Sequence, residues 1–142
     1  KAFNEIIENQ KKFNPKADIR GISVQEMAKG EEIIIGSVND QQFGPMVMLG
    51  IGGIFVEIFK DVSYRLIPIE EIDAAEMLSE LKGYPLLCGA RGRDPVNLDS
   101  IKSMLQNISG FLLDFNEIKE MDLNPIFVDK YRATVADARI FI

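Results

Sequence analysis

The sequence contains no histidine and no tryptophan, and it has a single cysteine among its 142 residues. The absence of histidine excludes Ser-His-Asp triads, histidine-based proton transfer and histidine-ligated zinc within this chain. Cys88 has no second cysteine for an internal disulfide and no histidine to activate it as a nucleophile. The sequence therefore favours a structural role for Cys88, and it agrees with a reducing, cytoplasmic location.

Positive charge and long apolar runs are also scarce. The chain has 16 basic and 22 acidic residues, a formal net charge of −6 and a pI of about 4.7. Such a surface repels nucleic-acid backbones, although a local site with Mg²⁺ can still hold a nucleotide's phosphates. The longest apolar run, residues 45–56, is interrupted by glycines and is shorter than the roughly 20 residues of a membrane span. We therefore expect neither nucleic-acid binding nor a membrane span.

The spacing of apolar residues predicts an α+β fold. Helices are predicted over residues 1–13, 70–81 and 98–115, and strands over 19–27, 32–38, 45–49, 54–60, 64–67, 122–128 and 133–142. Because strands and helices do not alternate regularly, the sheet is expected to be mixed or antiparallel, with the helices packed on it. The chain is expected to be a single domain of residues 1–142, cut from a longer protein, because it begins inside a predicted helix without a methionine.

The predicted C-terminal hairpin carries a candidate metal site. Asn124 lies near the start of one strand and Asp137 lies in the next, so the two can face each other across an antiparallel pair. An amide oxygen and a carboxylate are both hard ligands that suit Mg²⁺ bound to substrate phosphates. The alternative interpretation is that Asn124 belongs to an ordinary Asn-Pro turn and that Asp137 is a charge on an edge strand.

A glycine-rich segment, residues 50–53, is a candidate phosphate-binding turn, because free backbone amides of Gly52 and Gly53 can approach an anion closely. The segment is not a dinucleotide-binding fingerprint, because a strand and not a helix is predicted after it. It is not a P-loop either, because no Gly-Lys-Ser/Thr follows. A bend in a β-ribbon explains the same glycines.

Charged residues interrupt the apolar strands that follow. Alternation places Glu57 and Asp61 on one side of a predicted strand, and Arg65 offers a forked donor to phosphate or carboxylate. A strand face turned to solvent explains these residues as well.

The segment at 24–27 has Gln25 and Glu26 between Val24 and Met27 at the end of a predicted strand. Such a strand end can offer its backbone to a purine edge, with Met27 as an apolar wall, whereas the alternative is a core methionine.

These signals occur together in an order that resembles a known family. The matching segments are "VQEM" at 24–27, "KGEEIIIG" at 29–36, "DQQFGPMVMLGIGGIFVEIFKDVSYRLIP" at 40–68, "LKGYPLLCGARG" at 81–92, "DLNPIFV" at 122–128 and "VADARI" at 135–140. They resemble the β subunit, or β domain, of ADP-forming acetyl-CoA synthetases, which contains an ATP-grasp domain. The resemblance spans nearly the whole chain and implies the C-terminal subdomain of that ATP-grasp fold.

The resemblance implies a set of site residues. The hinge strand and the pocket for ATP or ADP would comprise Gln25, Glu26, Met27 and Glu32. The part of the chain that faces the phosphates would comprise Glu57 and Arg65 as catalytic residues, together with Gly52 and Gly53, and Arg91 is a further phosphate or docking candidate. The two Mg²⁺ ligands would be Asn124 and Asp137. Glu31 is a departure, because the family often has a basic residue there.

The family's reaction is acyl-CoA + ADP + phosphate ⇌ acid + CoA + ATP, which proceeds through a phosphohistidine. Because this chain has no histidine, the resemblance implies partners: CoA-binding and phosphohistidine-bearing domains or an α subunit, and the first ATP-grasp subdomain. The fragment alone is expected to lack turnover. One alternative is a non-catalytic binding or assembly module that self-associates through an apolar surface. Another is the ATP-grasp part of a protein acetyltransferase.

Overall fold

The computed structural model describes residues 1–53 and 60–142, except for the side chain of Arg91. The helices are α1 (Ala2–Phe13), α2 (Glu71–Glu80), α3 (Tyr84–Leu87) and α4 (Leu98–Asp114). A short 3-10 turn covers Ala90–Gly92. The strands are β1 (Glu31–Asp40), β2 (Gly44–Ile51), β3 (Val62–Leu66), β4 (Glu120–Val128), β5 (Ala133–Val135) and β6 (Ala138–Phe141). The α+β class predicted from the sequence is confirmed.

The strands form one sheet in the order β3-β2-β1-β4-β5. Strand β6 also pairs with β4, along residues 120–123, whereas β5 pairs with residues 126–128. Every pair in the described part of the chain is antiparallel. Strands β1 and β2 form a hairpin, in which Ile35 lies opposite Leu49 and Asp40 lies opposite Gly44. Asp40 closes the connecting turn, because its Oδ1 accepts the amide protons of Gln42 and Phe43 at 2.8 and 2.9 Å.

The core lies between one face of the sheet and the helices. Alternate residues of β1 and β2 point to this face, which we call the helix-covered face, and α2 and α4 contact the sheet from the same side. Each fully buried aliphatic side chain here contributes about 1.5–3 kcal/mol of transfer free energy. The largest fully buried side chains are Ile33, Ile35, Val47, Leu49, Met77, Leu87, Ile101, Leu105, Ile126 and Val128.

The two long helices that pack on the sheet begin where their sequences supply a cap. At α2 the side chain of Asp73 accepts the amide proton of Glu70 at 2.8 Å, as one half of a capping box. At α4 the side chain of Asn97 accepts the amide proton of Ser100 at 2.9 Å. Of the helices in the described residues, none is both long enough and apolar enough to span a bilayer.

The strand predicted over residues 19–27 is wrong, because residues 17–29 have no regular secondary structure. A strand needs a neighbour to receive its backbone hydrogen bonds, and no described strand pairs with this segment. Two of its apolar side chains lie in solvent, with Val24 93% and Met27 82% exposed, whereas Ile19 and Ile22 are half-buried. Helix α1 is where the sequence predicts it, yet none of its residues is buried.

Two further predictions differ from the structure, and a third is not tested by it. The last predicted strand is divided into β5 and β6 by Ala136 and Asp137. The segment after α2, expected to be irregular, contains α3 and a 3-10 turn. The strand predicted over residues 54–60 falls mostly outside the described residues.

Candidate functional site

The hairpin of β4 with β5 and β6 brings the predicted metal ligands together along the backbone. The amide of Asn124 donates to the carbonyl of Asp137 at 3.2 Å, and the amide of Ala136 donates to the carbonyl of Pro125 at 3.0 Å. The register with β1 also shifts here, so that Asn124 and Pro125 lie opposite the single residue Ile34. Such bulges re-aim side chains, and they recur next to active sites.

The chemistry of these two residues fits a magnesium ion. Both are exposed, and both offer hard oxygen ligands. One carboxylate oxygen of Asp137 accepts the amide proton of Ala138 at 3.0 Å, and the other lies 3.7 Å from Nε of Arg139. In the described part of the chain, no group of three or more cysteine or acidic residues is placed to hold a metal. Two protein ligands suffice for Mg²⁺ when substrate phosphates and water complete its shell.

A row of side chains leads from this hairpin across the sheet. Glu32 of β1 lies opposite Phe127 of β4, which lies opposite Thr134 of β5. The neighbours Ile33 and Ile126 are buried in the core, so the row lies on the other face of the sheet, which we call the open face. The predicted nucleotide residue Glu32 therefore lies on the open face, two residues from Ile34, which is the residue opposite the Asn124–Pro125 bulge.

The glycine turn after β2 lies directly against Glu32. The amide of Gly52 donates to the carbonyl of Glu32 at 2.7 Å. A Cβ on Gly52 would lie 2.7 Å from the Cβ of Glu32 and 3.0 Å from its carbonyl oxygen, so only glycine fits here. Gly53 has a φ of +62° and open space around it. The structure thus brings the predicted phosphate turn and Glu32 together, but the amide of Gly52, predicted to be free for an anion, is used by the carbonyl of Glu32.

A cleft of about 370 Å³ lies between residues 26–29 and the turn from β4 to β5. Its volume falls within the range of small-molecule sites. Two predicted nucleotide residues, Glu26 and Met27, line it, whereas the third residue of that segment, Gln25, is exposed and does not. The other lining residues are Ala28, Lys29, Asp129, Arg132 and Thr134.

The far wall of this cleft is a rigid turn. Asp129 Oδ1 accepts the amide protons of Tyr131 and Arg132 at 2.7 and 2.9 Å, and these bonds lower the pKa of the Asp129 carboxyl. Asn97 at the start of α4 donates its side-chain amide to the carbonyl of Tyr131 and its backbone amide to the carbonyl of Asp129. Nothing in the sequence pattern marks Asp129 and Arg132 as cleft residues, because their approach to residues 26–29 is a tertiary contact.

The structure places Arg65 away from this row. In β3, Ser63 and Arg65 lie opposite Leu49 and Val47, which puts them on the helix-covered face. The guanidinium of Arg65 donates to both carboxylate oxygens of Glu80, at 2.6 and 3.1 Å. The structure does not bring Arg65 together with the other predicted site residues, and its catalytic role stays a prediction.

Two other predicted site residues cannot be placed. Glu57 lies outside the described residues, as does the side chain of Arg91. Next to Arg91, Arg93 donates to Glu31 Oε1 at 2.6 Å and forms an ion pair with it. Glu31, which departs from the family pattern, thus has Arg93 in the glycine-rich loop before α4 as its cationic partner.

Sequence reasoning missed the role of Asp61, which is only 3% exposed. One of its carboxylate oxygens accepts the amide proton of Lys82 and the other accepts that of Gly83, each at 2.7 Å. Its backbone carbonyl accepts the amide proton of Ile51 at 3.4 Å. The carboxylate therefore fixes the end of α2 against the strands on either side of the glycine turn. The only sequence signal for this role was that Asp61 is an acidic residue within largely apolar strands.

Comparison with known proteins defines the class of this protein. A model of the ATP-grasp domain matches residues 1–142, and the chain belongs to this family. Two β subunits of ADP-forming acetate–CoA ligase from Pyrococcus furiosus are 46% and 50% identical to it, over 99% and 100% of the chain. The chain spans 61% and 62% of the length of these two relatives.

Solved structures agree with this assignment. The dinucleotide-forming acetyl-coenzyme A synthetase 1 of Ca. Korarchaeum cryptofilum, with coenzyme A, acetyl-coenzyme A and a phosphorylated phosphohistidine segment, matches with a TM-score of 0.88 and 50% identity. That match covers 99% of this chain and 63% of the other. The same enzyme with coenzyme A and Mg-AMPPCP matches with a TM-score of 0.78 and 46% identity, over 82% of this chain and 55% of the other. The ATP-grasp membership expected from the sequence motifs is confirmed.

Proposed function

We propose that this chain is the nucleotide- and Mg²⁺-binding half of an NDP-forming acyl-CoA synthetase. The whole protein would catalyse acyl-CoA + ADP + phosphate ⇌ acid + CoA + ATP, with ADP and ATP held against the open face of this sheet. The observation that carries the proposal is that Glu32 holds the amide of Gly52 and lies two residues before Ile34, which lies opposite the Asn124–Pro125 bulge of the metal-ligand hairpin.

The nucleotide would lie along this end of the sheet. The cleft lined by Glu26 and Met27 would receive the base. Asn124 and Asp137 would hold Mg²⁺ at the phosphates, where the ion offsets charge on the transferring oxygens and supplies alignment. The amide of Gly53 would approach the phosphates beside Glu32, because the amide of Gly52 already donates to the carbonyl of Glu32. Glu57 and Arg65 keep the catalytic roles that the resemblance implies as predictions.

The proposal includes partners. The phosphoryl carrier would be a histidine elsewhere, because this chain has none, and CoA would bind other domains or an α subunit. A first ATP-grasp subdomain would face the open side of the sheet and the apolar side chains of α1, none of which is buried here. What supports these partners is the share of the relatives' length that the chain spans. Since nucleotide and CoA are cytoplasmic metabolites, a cytoplasmic location belongs to the same proposal.

The test is calorimetric titration of Mg·ADP into the full-length protein and its Asp137→Ala variant. Loss of a magnesium ligand commonly costs 10-fold or more in affinity, and we expect at least that loss for Mg·ADP, with a much smaller change for ADP in EDTA. Glu120→Gln, at the far end of β4, is the matched control. If Asp137→Ala binds Mg·ADP as the wild type does, the metal site is elsewhere and the proposal fails.

A further inference from the structure

The cleft beside the residue 26–29 segment contains an arginine that neither the family motifs nor the metal hairpin explain. Arg132 lines this cleft together with Glu26, Lys29 and Thr134. Thr134 continues the row that begins at Glu32, so the cleft opens onto the same end of the sheet as the candidate nucleotide site. Because Arg132 and Met27 line the same cleft, a base held against residues 26–29 would lie beside Arg132.

The backbone that carries Arg132 is fixed before any ligand arrives. The amide of Asp129 donates to the carbonyl of Arg132 at 3.0 Å, and the amide of Arg132 donates back to Asp129 Oδ1 at 2.9 Å. Asn97 then ties this turn to α4 through the carbonyl of Tyr131 at 2.9 Å. A side chain on a rigid turn loses less freedom on binding, which is what a recognition residue requires.

The charges of the cleft leave Arg132 available to a ligand. Asp129, the nearest acid along the chain, accepts two amide protons through one oxygen, and the charge of Arg132 contributes to lowering the pKa of its carboxyl. Within residues 1–53 and 60–142, no ion pair engages Arg132. The guanidinium can only donate hydrogen bonds, in a planar fork, whereas the carboxylate of Glu26 on the opposite wall can only accept them when ionised.

This arrangement distinguishes the two purines. Guanine presents two acceptors, O6 and N7, on one edge, whereas adenine presents the N6 amino donor beside N7. A forked donor pairs with both guanine atoms but meets a donor on adenine. We infer that Arg132 is a specificity-determining residue of the nucleotide cleft, one that strengthens binding of guanine nucleotides relative to adenine nucleotides. The inference rests on the proposed function, because it requires the base to lie in this cleft.

The experiment measures Kd for Mg·ADP and Mg·GDP with the full-length protein by isothermal titration calorimetry. A bidentate arginine–guanine pair is worth about 1–3 kcal/mol of discrimination, so Arg132→Ala should weaken Mg·GDP binding by about 5- to 150-fold. Mg·ADP binding should change by less than about 3-fold. Arg132→Lys, which keeps the charge but not the fork, should recover only part of the loss.

The control is Lys130→Ala on the same turn. The Nζ of Lys130 lies over the ring of Tyr131, 5.1 Å from its centroid, and Lys130 does not line the cleft. This variant removes the same charge from the turn and should leave the ratio of the two Kd values unchanged.

The outcomes separate the inference from the function on which it rests. Equal losses for both nucleotides in Arg132→Ala, or no loss for either, would overturn the role of Arg132. Binding of Mg·ADP by the wild type without measurable binding of Mg·GDP would overturn it as well. A wild-type protein that binds neither nucleotide contradicts the proposed function itself.

Discussion

Arg65 on β3 is held by Glu80 at the end of α2 through a two-point contact. Nη2 of Arg65 lies 2.6 Å from Glu80 Oε1, and Nη1 lies 3.1 Å from Glu80 Oε2. Glu76, one turn earlier, accepts a further bond from Nη2 at 3.2 Å, and the Ser63 hydroxyl donates to Glu80 Oε2. This network joins the edge strand of the sheet to a helix, and it raises the pKa of Arg65 while it lowers that of Glu80.

Glu80→Gln should lower stability in a pH-dependent way. The Arg65 and Ser63 bonds hold the pKa of Glu80 below its usual value, so its ionised form stabilises the fold above the unfolded-state pKa of about 4.3. That contribution disappears as the pH falls through the folded-state pKa. Because the Glu80 side chain is 46% exposed, solvent screening limits the loss at pH 7 to about 0.5–1 kcal/mol. Denaturant unfolding of the wild type and the variant at pH 7 and near pH 3 measures the loss of stability and its dependence on pH.

Glu76→Gln serves as the control for that experiment, because Glu76 makes one longer contact with the same guanidinium. Its effect at pH 7 should be the smaller of the two. A difference between wild type and Glu80→Gln that persists unchanged at acid pH would contradict the assigned electrostatic origin.

Arg65→Gln tests whether this arginine serves the fold or the phosphates. Since its guanidinium lies on the helix-covered face and Glu32 on the open face, we expect lower stability with an affinity for Mg·ADP within about 3-fold of the wild type. Calorimetric titration at a temperature where the variant is fully folded measures the affinity. A 10-fold loss of affinity in a folded variant would instead support the catalytic role implied by the family motifs.

Gly52→Ala should destabilise the protein by about 1–3 kcal/mol, the usual cost of overpacking. The added Cβ would lie 2.7 Å from the Cβ of Glu32 and 3.0 Å from its carbonyl oxygen, which are parts of a central strand and cannot move away easily. Gly53→Asn is the control, since its position has open space and a φ of +62° that asparagine tolerates. Equal effects of the two substitutions would show that steric contact with Glu32 is not the cause.

Asp61→Asn should cost about 1–3 kcal/mol, because asparagine replaces one acceptor oxygen with an amino group and leaves a buried amide of Lys82 or Gly83 unpaired. Asp40→Asn is the matched control. Asp40 accepts both of its amide protons through one oxygen, which asparagine also has. These bonds lower the pKa of the Asp40 carboxyl, so Asp40→Asn should lose some stability in denaturant unfolding, but less than Asp61→Asn. A neutral Asp61→Asn would mean that the second oxygen contributes nothing.

Local patterns in the sequence predict much of this fold correctly. Apolar spacing places α2 and α4 within a residue of their observed ends, and the capping residues Glu70 and Asn97 lie where the helices begin. The β1–β2 hairpin follows from two apolar strands around a polar turn. These features depend on interactions within a few residues, so the sequence contains the relevant information.

The errors occur where an element depends on a distant partner. Residues 19–27 have the composition of a strand, but no described strand pairs with them. Residues 133–142 also have that composition, yet the irregular pairing of Ala136 and Asp137 with Asn124 and Pro125 divides them. The motifs correctly indicated the family, because several spaced segments carry that signal jointly.

By itself, the sequence determined most of the elements, the antiparallel hairpins and the family, together with Asn124 and Asp137 as neighbours across a hairpin. Only the tertiary structure decided what the charged side chains contact: Arg65 with Glu80, Arg93 with Glu31, and Arg132 in a cleft with Glu26. The physical reason is separation along the chain. Helix and turn patterns are set by neighbouring residues. The two ion pairs join residues 15 and 62 positions apart, and these pairs and the cleft exist only after the sheet has aligned the distant segments.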